Sequence, residues 1–325
     1  MVVEVDTDTG KVAGNFRRQV CQKEKVAVIM RTYFDCIPCI IRQALDAIRL
    51  INDDKKIHEQ ILREVLCLAS KMDLSASPPA MAQKIHRVIR QLAETDDPYK
   101  LLKQRFNEFA LKLFPKFQDL VSSSVKPFET AVRLAIVGNI IDLGAKCSLG
   151  LTEAEKIIEK GMAEPFDMTD LKAFQDATDR AEDILYLADN AGEIVFDRPL
   201  LERIGPSKIT FVVKGAPVIN DATIDDAEET GLNKLVKVID NGDDTPGTIL
   251  QSCSSEFQKR FRDADLIIAK GQGNFETLSD VDKNMFFVLK IKCPVIAGRL
   301  NCSVGTLVLR RNRIPKTRQL IRERS

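Results

Sequence analysis

Residues 183–193 read DILYLADNAGE, an apolar run of strand length that ends abruptly in Asp189, Asn190 and Glu193. A run that is hydrophobic at nearly every position suits a strand buried on both faces of a parallel sheet. Similar runs follow at 208–213 (KITFVV), 235–239 (LVKVI) and 266–269 (LIIA), and 286–289 and 294–297 are further strand candidates. Helical patterns lie between them. Strands alternating with helices predict an α/β fold with a mostly parallel sheet covered on both faces.

Upstream, from about 38 to 162, the pattern is helical. Ile37, Ile41, Leu45 and Ile48 recur at spacings of three and four, which places them on one face of a helix. Further helices are expected at about 54–72, 79–94, 97–114 and 125–141. Ser77 can cap the third, with Pro78 and Pro79 in its first turn, and Asp97 followed by Pro98 can open the fourth. The expected organisation is a helical domain over 30–165, an α/β domain over 166–312 and a basic tail over 313–325. Residues 1–29 show little periodicity and are expected to form a disordered extension, with translation starting at Met30.

Lys and Arg number 48 against 47 Asp and Glu in the 325 residues, a net charge of +1. So even a balance gives no reason to expect nucleic-acid or membrane-surface binding, and an anion must be captured by a local site. No apolar run approaches the roughly 18 to 20 residues that a membrane span requires. Nor does the short run 26–30 suffice for the core of a signal peptide. The eight cysteines are scattered along a chain large enough to stand without disulfides. The sequence reads as cytoplasmic, and it leaves homo-oligomerisation open.

Ligands of open α/β sheets gather beyond the carboxyl ends of strands, and here those ends are unusually polar. The first run leads into Asp189-Asn190-Ala191-Gly192-Glu193, and the second into Lys214-Gly215-Ala216-Pro217 and then Asn220-Asp221. The fourth leads into Lys270-Gly271-Gln272-Gly273-Asn274. Asp189, Asn190 and Asp221 meet the need of a hard divalent cation for oxygen ligands. The competing reading is that Asp189 and Asn190 cap the next helix, in which Pro199 should produce a kink or a restart. Lys270 with its glycines suits an anion, since backbone N–H groups can approach phosphate oxygens there. An ordinary strand-to-helix turn explains the same residues.

Several blocks occur together in order: Asp35-Cys36-Ile37-Pro38-Cys39, Asp97-Pro98-Tyr99, Gly138-Asn139-Ile140-Ile141-Asp142, and 189–197 (DNAGEIVFD). Asn220-Asp221-Ala222-Thr223 and Lys270-Gly271-Gln272-Gly273-Asn274 complete the set. Over roughly residues 30–310 the chain resembles the damage-control phosphatase family, once a domain of unknown function and also called acidic-residue-methyltransferase-like. The Cys-containing block is similar to its microbial branch. The resemblance implies a helical domain packed on a three-layer α/β/α, Rossmann-like domain, with the site in the cleft between them. It implies metal ligands at Asp189, Asn190 and Asp221, the metal being manganese, magnesium, cobalt or nickel. Phosphate binding is implied for Lys270, with Gly271 and Asn274 beside it. Asn139 is expected to line the cleft with Asp142 as its buttress. Asp189, Glu193 and Lys270 are the catalytic candidates, Glu193 as brace or proton acceptor. The implied reaction is metal-dependent hydrolysis of phosphate monoesters of small metabolites, either sugar phosphates or damaged phosphometabolites.

Cys36 and Cys39 form a Cys-x-x-Cys pair without the strand of a redox motif or a second pair to complete a zinc site, so packed, reduced thiols are expected. His58 and His86 are expected on the surface, and Tyr99 and Lys100 either at the cleft or packed between domains. Two rival functions remain. One is methyl transfer from S-adenosylmethionine to a carboxylate, for which Asp189-Asn190-Ala191-Gly192 is a poor version of the required glycine turn. The other is a non-catalytic metal-binding or scaffold protein.

Overall fold

The computed structural model describes residues 30–51, 53–138 and 151–313. The extension over 1–29, the tail beyond 313 and the expected site residues Asn139 and Asp142 lie outside the described residues. Among the described residues six helices come first: α1 (Cys36–Ile51), α2 (Lys55–Ser70), α3 (Pro78–Leu92), α4 (Lys100–Ser122), α5 (Pro127–Val137) and α6 (Leu151–Met162). Their starts follow local chemistry. Asp54 caps α2 by accepting from the Lys56 amide, and Ser77 precedes the two prolines of α3 in extended backbone, though its hydroxyl makes no cap bond. Asp97 accepts from the Tyr99 amide at the head of α4.

Two cores divide these helices. Ile40, Ala44 and Ile48 of α1, Ile61 and Val65 of α2, Ile85 and Ile89 of α3 and Leu102 and Phe106 of α4 pack together, away from the sheet. The rest of α4 runs through Pro115, past the expected end at 114, because Phe114, Phe117 and Val121 continue its apolar face onto the sheet core. Residues of α5 and α6 join that same core. His86, expected on the surface, is buried beside Tyr99 at 6.1 Å between ring centroids. Burial, helped by the Arg90 charge, holds its imidazole neutral with a pKa near 4.

The second half alternates as expected: β1 (Phe166–Asp167), α7 (Leu171–Arg180), β2 (Ile184–Leu187), α8 (Glu193–Ile204), β3 (Ile209–Val213), α9 (Ile224–Glu229) and β4 (Lys237–Asp240). There follow α10 (Ser255–Asp263), β5 (Leu266–Lys270), α11 (Gly271–Leu278), β6 (Met285–Lys290), α12 (Pro294–Leu300) and β7 (Leu307–Arg311). The seven strands lie in the order β1-β7-β6-β5-β2-β3-β4, parallel at every pairing except β6 with β7. Successive strand residues serve opposite faces. Ile184, Tyr186, Phe211, Ile268 and Phe286 meet α4, α5 and α8. Leu185, Leu187, Ile267, Ala269 and Phe287 meet α10, α11 and α12. This is the three-layer α/β/α arrangement.

Three local expectations change. The segment 294–297 is helix, because Pro294 occupies the first helical position and Asn301 closes the helix in left-handed conformation. The run 307–311 supplies a buried strand in its place. Pro199 does not restart a helix, since α8 continues through it with the residue buried.

A charged clamp holds α3 to the α/β layers. Gln83 donates to Asp243 and Asp244, and Arg87 and Arg90 each reach Asp244 at 2.5 Å. Burial would raise the Asp244 pKa, but the hydrogen bonds from Arg87, Arg90 and Gln83 overcome that and hold it near 2. A carboxylate with a depressed folded pKa adds stability above its unfolded pKa, and that stability is lost as pH falls toward 2. Asp244→Asn should therefore destabilise the protein at neutral pH by about 3 kcal/mol, the low end for breaking a buried pair because Arg87 stays hydrated. It should also flatten the loss of stability between about pH 4 and pH 2, which urea titrations at stepped pH would measure.

Candidate active site

The strand order reverses between β5 and β2, the position where open sheets collect ligands. Beyond β2 and β3 the chain forms two loops that pair with each other. The Ala191 amide donates to Asn220 O at 2.9 Å and the Ala222 amide to Asp189 O at 2.8 Å, and Asn190 faces Asp221 in an antiparallel bridge. Asp189, Asn190 and Asp221 are thereby brought together from segments 31 positions apart in sequence. Neither Asp189 nor Asn190 caps α8. Gly192 holds that position without a side-chain bond, which removes the capping alternative.

The Asn190 carboxamide donates to Asp189 Oδ2 at 3.0 Å and to Glu193 Oε2 at 2.9 Å, leaving its oxygen as the end available to a cation. Burial, then the charges of Glu193 and Asp221, push the Asp189 carboxyl up to about 7. Burial pushes Asp221 up to about 6 against the opposing pull of Lys214. Asp221 Oδ2 lies 3.4 Å from Lys214 Nζ, close enough for an ion pair but without hydrogen-bond alignment, so this buried oxygen has no hydrogen-bond partner. Crowded carboxyl groups and an orphaned buried oxygen fit a hard cation. Among the described residues, no group of three or more His, Cys, Asp or Glu side chains is arranged to hold a metal ion. The candidate donor set is two carboxylates and a carboxamide.

Lys270, expected to face a phosphate, points into the protein. Its ammonium is fully buried and donates to Ala135 O at 2.7 Å and to Glu193 Oε1 and Asp197 Oδ1 at 2.6 Å each. Three protons meet three acceptors, so none is left for a substrate oxygen. Burial disfavours that charge, but the two carboxylates outweigh it and raise the Lys270 pKa. Asn274 is likewise committed, donating to Ala188 O and Lys270 O and accepting from the Thr248 hydroxyl. The glycines also serve close packing. Gly271 adopts φ +78°, and a Cβ there would lie 2.0 Å from Asp189 Oδ2. At Gly273 a Cβ would meet the Pro246 carbonyl at 2.7 Å.

Several residues at the site were not singled out from the sequence. From α4, Asn107 accepts from the Gly192 amide at 2.7 Å and donates to Asp226. Lys103 pairs with Asp97 and Asp226 at 3.0 Å each, and Asp226 closes a capping box with Thr223 at the head of α9. The Thr223-x-x-Asp226 spacing was a legible sign of that box. The Asp97-Pro98-Tyr99 block thus braces α4, with Tyr99 buried in the helical core and Lys100 exposed. Lys292 is an exposed cation whose charge reaches Asp189. Cys36 is half-buried and Cys39 exposed, so the pair is not packed as expected; both are free thiols whose pKa values are raised, by desolvation first, with Glu276 and Cys293 adding to the effect.

Among the described residues no helix is long and apolar enough to cross a membrane. Residues 32–308 match the family model described as the damage-control phosphatase ARMT1-like domain. A damage-control phosphatase of Pyrococcus horikoshii is 36% identical over 292 residues, covering 87% of this chain and 99% of that protein. One of Archaeoglobus fulgidus is 33% identical, covering 84% and 96%. An uncharacterized protein of Methanocaldococcus jannaschii is 38% identical, covering 85% and 93%. The crystal structure of a DUF89 family protein from Pyrococcus horikoshii superposes with a TM-score of 0.78 at 35% identity, covering 87% of this chain and all of that one. With the motif blocks in their expected order and most of its length matched, the chain belongs to the damage-control phosphatase ARMT1-like family.

Proposed function

We propose that this protein is a metal-dependent phosphatase that hydrolyses phosphate monoesters of small metabolites, sugar phosphates or damaged phosphometabolites. The observation that carries the reading is the pairing of 189–191 with 220–222, which gathers two carboxylates and a carboxamide at the switch point of the sheet. The relatives named damage-control phosphatases, at 36% and 33% identity, support the same reaction class. Asp189, Asn190 and Asp221 would hold magnesium, manganese, cobalt or nickel, all of which accept oxygen ligands. Such an ion supplies Lewis-acid charge to a phosphoryl oxygen and acidity to water.

The chain's own groups do the rest. Glu193 accepts a hydrogen bond from the Asn190 carboxamide and so fixes its direction, and it is the candidate proton acceptor near the ligands. Lys270 acts behind it, holding Glu193 in place through Oε1. Countercharge for the substrate phosphate falls to Lys292, exposed beside the ligands, rather than to Lys270.

The test is phosphate release from a panel of sugar phosphates and p-nitrophenyl phosphate, with each divalent ion supplied in turn. Asp221→Ala should reduce metal-dependent release by at least about a hundredfold in a folded protein. Folded wild-type protein that releases no phosphate with any of the four ions would sink the reading. Lys292→Ala, a change at an exposed side chain, should leave thermal stability within about 0.5 kcal/mol and raise KM for phosphorylated substrates by roughly tenfold. Gly271→Ala forces a side chain into left-handed backbone and against the Asp189 carboxylate. It should cost about 1–3 kcal/mol of stability and weaken activation by metal, read from thermal melts and metal titrations of activity.

A further inference from the structure

The loop that carries Asp221 crosses from β3 onto the helical body before it returns to α9. Within it Ile219 has φ +47°, a left-handed conformation that a β-branched residue rarely adopts. Backbone in that region persists only where its surroundings enforce it. The surroundings here are helical. The Ile219 side chain packs against the core formed by α1–α4, whose members include Ile89 and Tyr99. Beside it, Arg90 of α3 donates through Nη1 to Pro217 O at 2.6 Å and through Nη2 to Asp244 Oδ2 at 2.5 Å. One guanidinium thus grips the Asp221 loop and the neighbouring loop together. Immediately after Ile219, Asn220 O accepts from Ala191, and the Asp221 amide donates to Val218 O at 3.1 Å.

We infer that Ile219 and Arg90 are positioning residues for the cation site. They dock the Asp221 loop on the helical body in a strained conformation, so that metal affinity depends on that docking. The inference rests on the proposed function, because it concerns the same donor set. Neither residue touches the donor atoms. Each acts through the two-residue reach from Ile219 to Asp221 and through the Pro217 carbonyl. A helical body that merely covered the sheet would need no such strain.

Ile219→Gly separates the two roles. It relieves the left-handed backbone and removes the apolar anchor, so the opposing effects leave the melting temperature of the metal-free protein little changed. Valine keeps the anchor and the strain. Calorimetric titration of the full chain with Mg²⁺, Mn²⁺, Co²⁺ and Ni²⁺, each alone, should show Ile219→Gly binding roughly 10- to 100-fold more weakly than wild type, with Ile219→Val within about threefold. Arg90→Lys, whose single ammonium does not reproduce the fork to Pro217 O and Asp244, should weaken binding by roughly tenfold. Wild-type affinity in folded Ile219→Gly overturns the positioning role and leaves the phosphatase reading standing. A fall in metal-free stability with unchanged affinity does the same. Failure of the folded wild type to bind any of the four ions removes the cation site itself, and both readings with it.

Discussion

Taking an ammonium ion out of water costs several kcal/mol unless charge and hydrogen bonds replace its hydration. Lys270 meets that demand completely. It is the last residue of β5, and its three protons go to a carbonyl of α5 and to two carboxylates of α8. Asp197 is held in turn by the Tyr186 hydroxyl on β2. Two neighbouring strands and two covering helices therefore meet at one charge. Glu193 extends this arrangement to the surface, since its Oε1 belongs to Lys270 and its Oε2 to the Asn190 carboxamide. The orientation of a proposed ligand is thus set by a group about as deep in the protein as any side chain can be. Such a link suits a site whose donors must not relax when its charge changes, because a fixed second layer holds them.

The loops themselves have little regular structure to rely on, and their rigidity is borrowed. They brace each other through 189–191 and 220–222, and the helical body braces both from below. Asn107 reaches the loop beyond β2 through Gly192, and Lys103 reaches the start of α9 through Asp226. Arg90 and Ile219 hold the stretch between. The helical half of the chain thus contributes to the site chiefly by position, which gives the two halves a shared reason to stay docked.

Much of this was legible in the sequence, for physical reasons that also explain the failures. Strands β2, β3 and β5 are buried at every position, so their apolar runs announced them. Strand β4 is exposed at both ends, and its expected span was displaced by two residues toward the preceding turn at the start. Residues 294–297 have the composition of a strand, but Pro294 is a signal for a helix start, and the buried strand lies instead at 307–311. The three expected ligands converge as adjacent residues of paired loops. Lys270 shows what was missed. Along β5, Leu266 and Ile268 belong to the core under α5 and α8, and a period of two sends Lys270 to that same face. Strand parity therefore indicated a buried lysine, whereas attention to the glycines beside it suggested a phosphate loop. Asn274, one helical turn further on, is bound back to the Lys270 carbonyl and shares its interior role.

The charge around the paired loops bears on the proposed chemistry. Asp189, Glu193, Asp197 and Asp221 are four carboxylates faced by the buried ammonium groups of Lys214 and Lys270, while Lys103, which also acts on Asp221, is balanced by Asp97 and Asp226. Lys270 is shared between Glu193 and Asp197, and Lys214 approaches Asp221 without hydrogen-bond alignment. An excess of about two negative charges remains at low dielectric, and burial first, then repulsion from neighbouring carboxylates, raises the pKa values of Asp189 and Asp221. Protonation would relieve it but would remove the donors. A divalent cation would relieve it and keep them. The fold thus tolerates an electrostatically unfavourable metal-free state that the proposed bound cation would cancel, and the exposed charge of Lys292 at the rim is the proposed contact for an incoming phosphate.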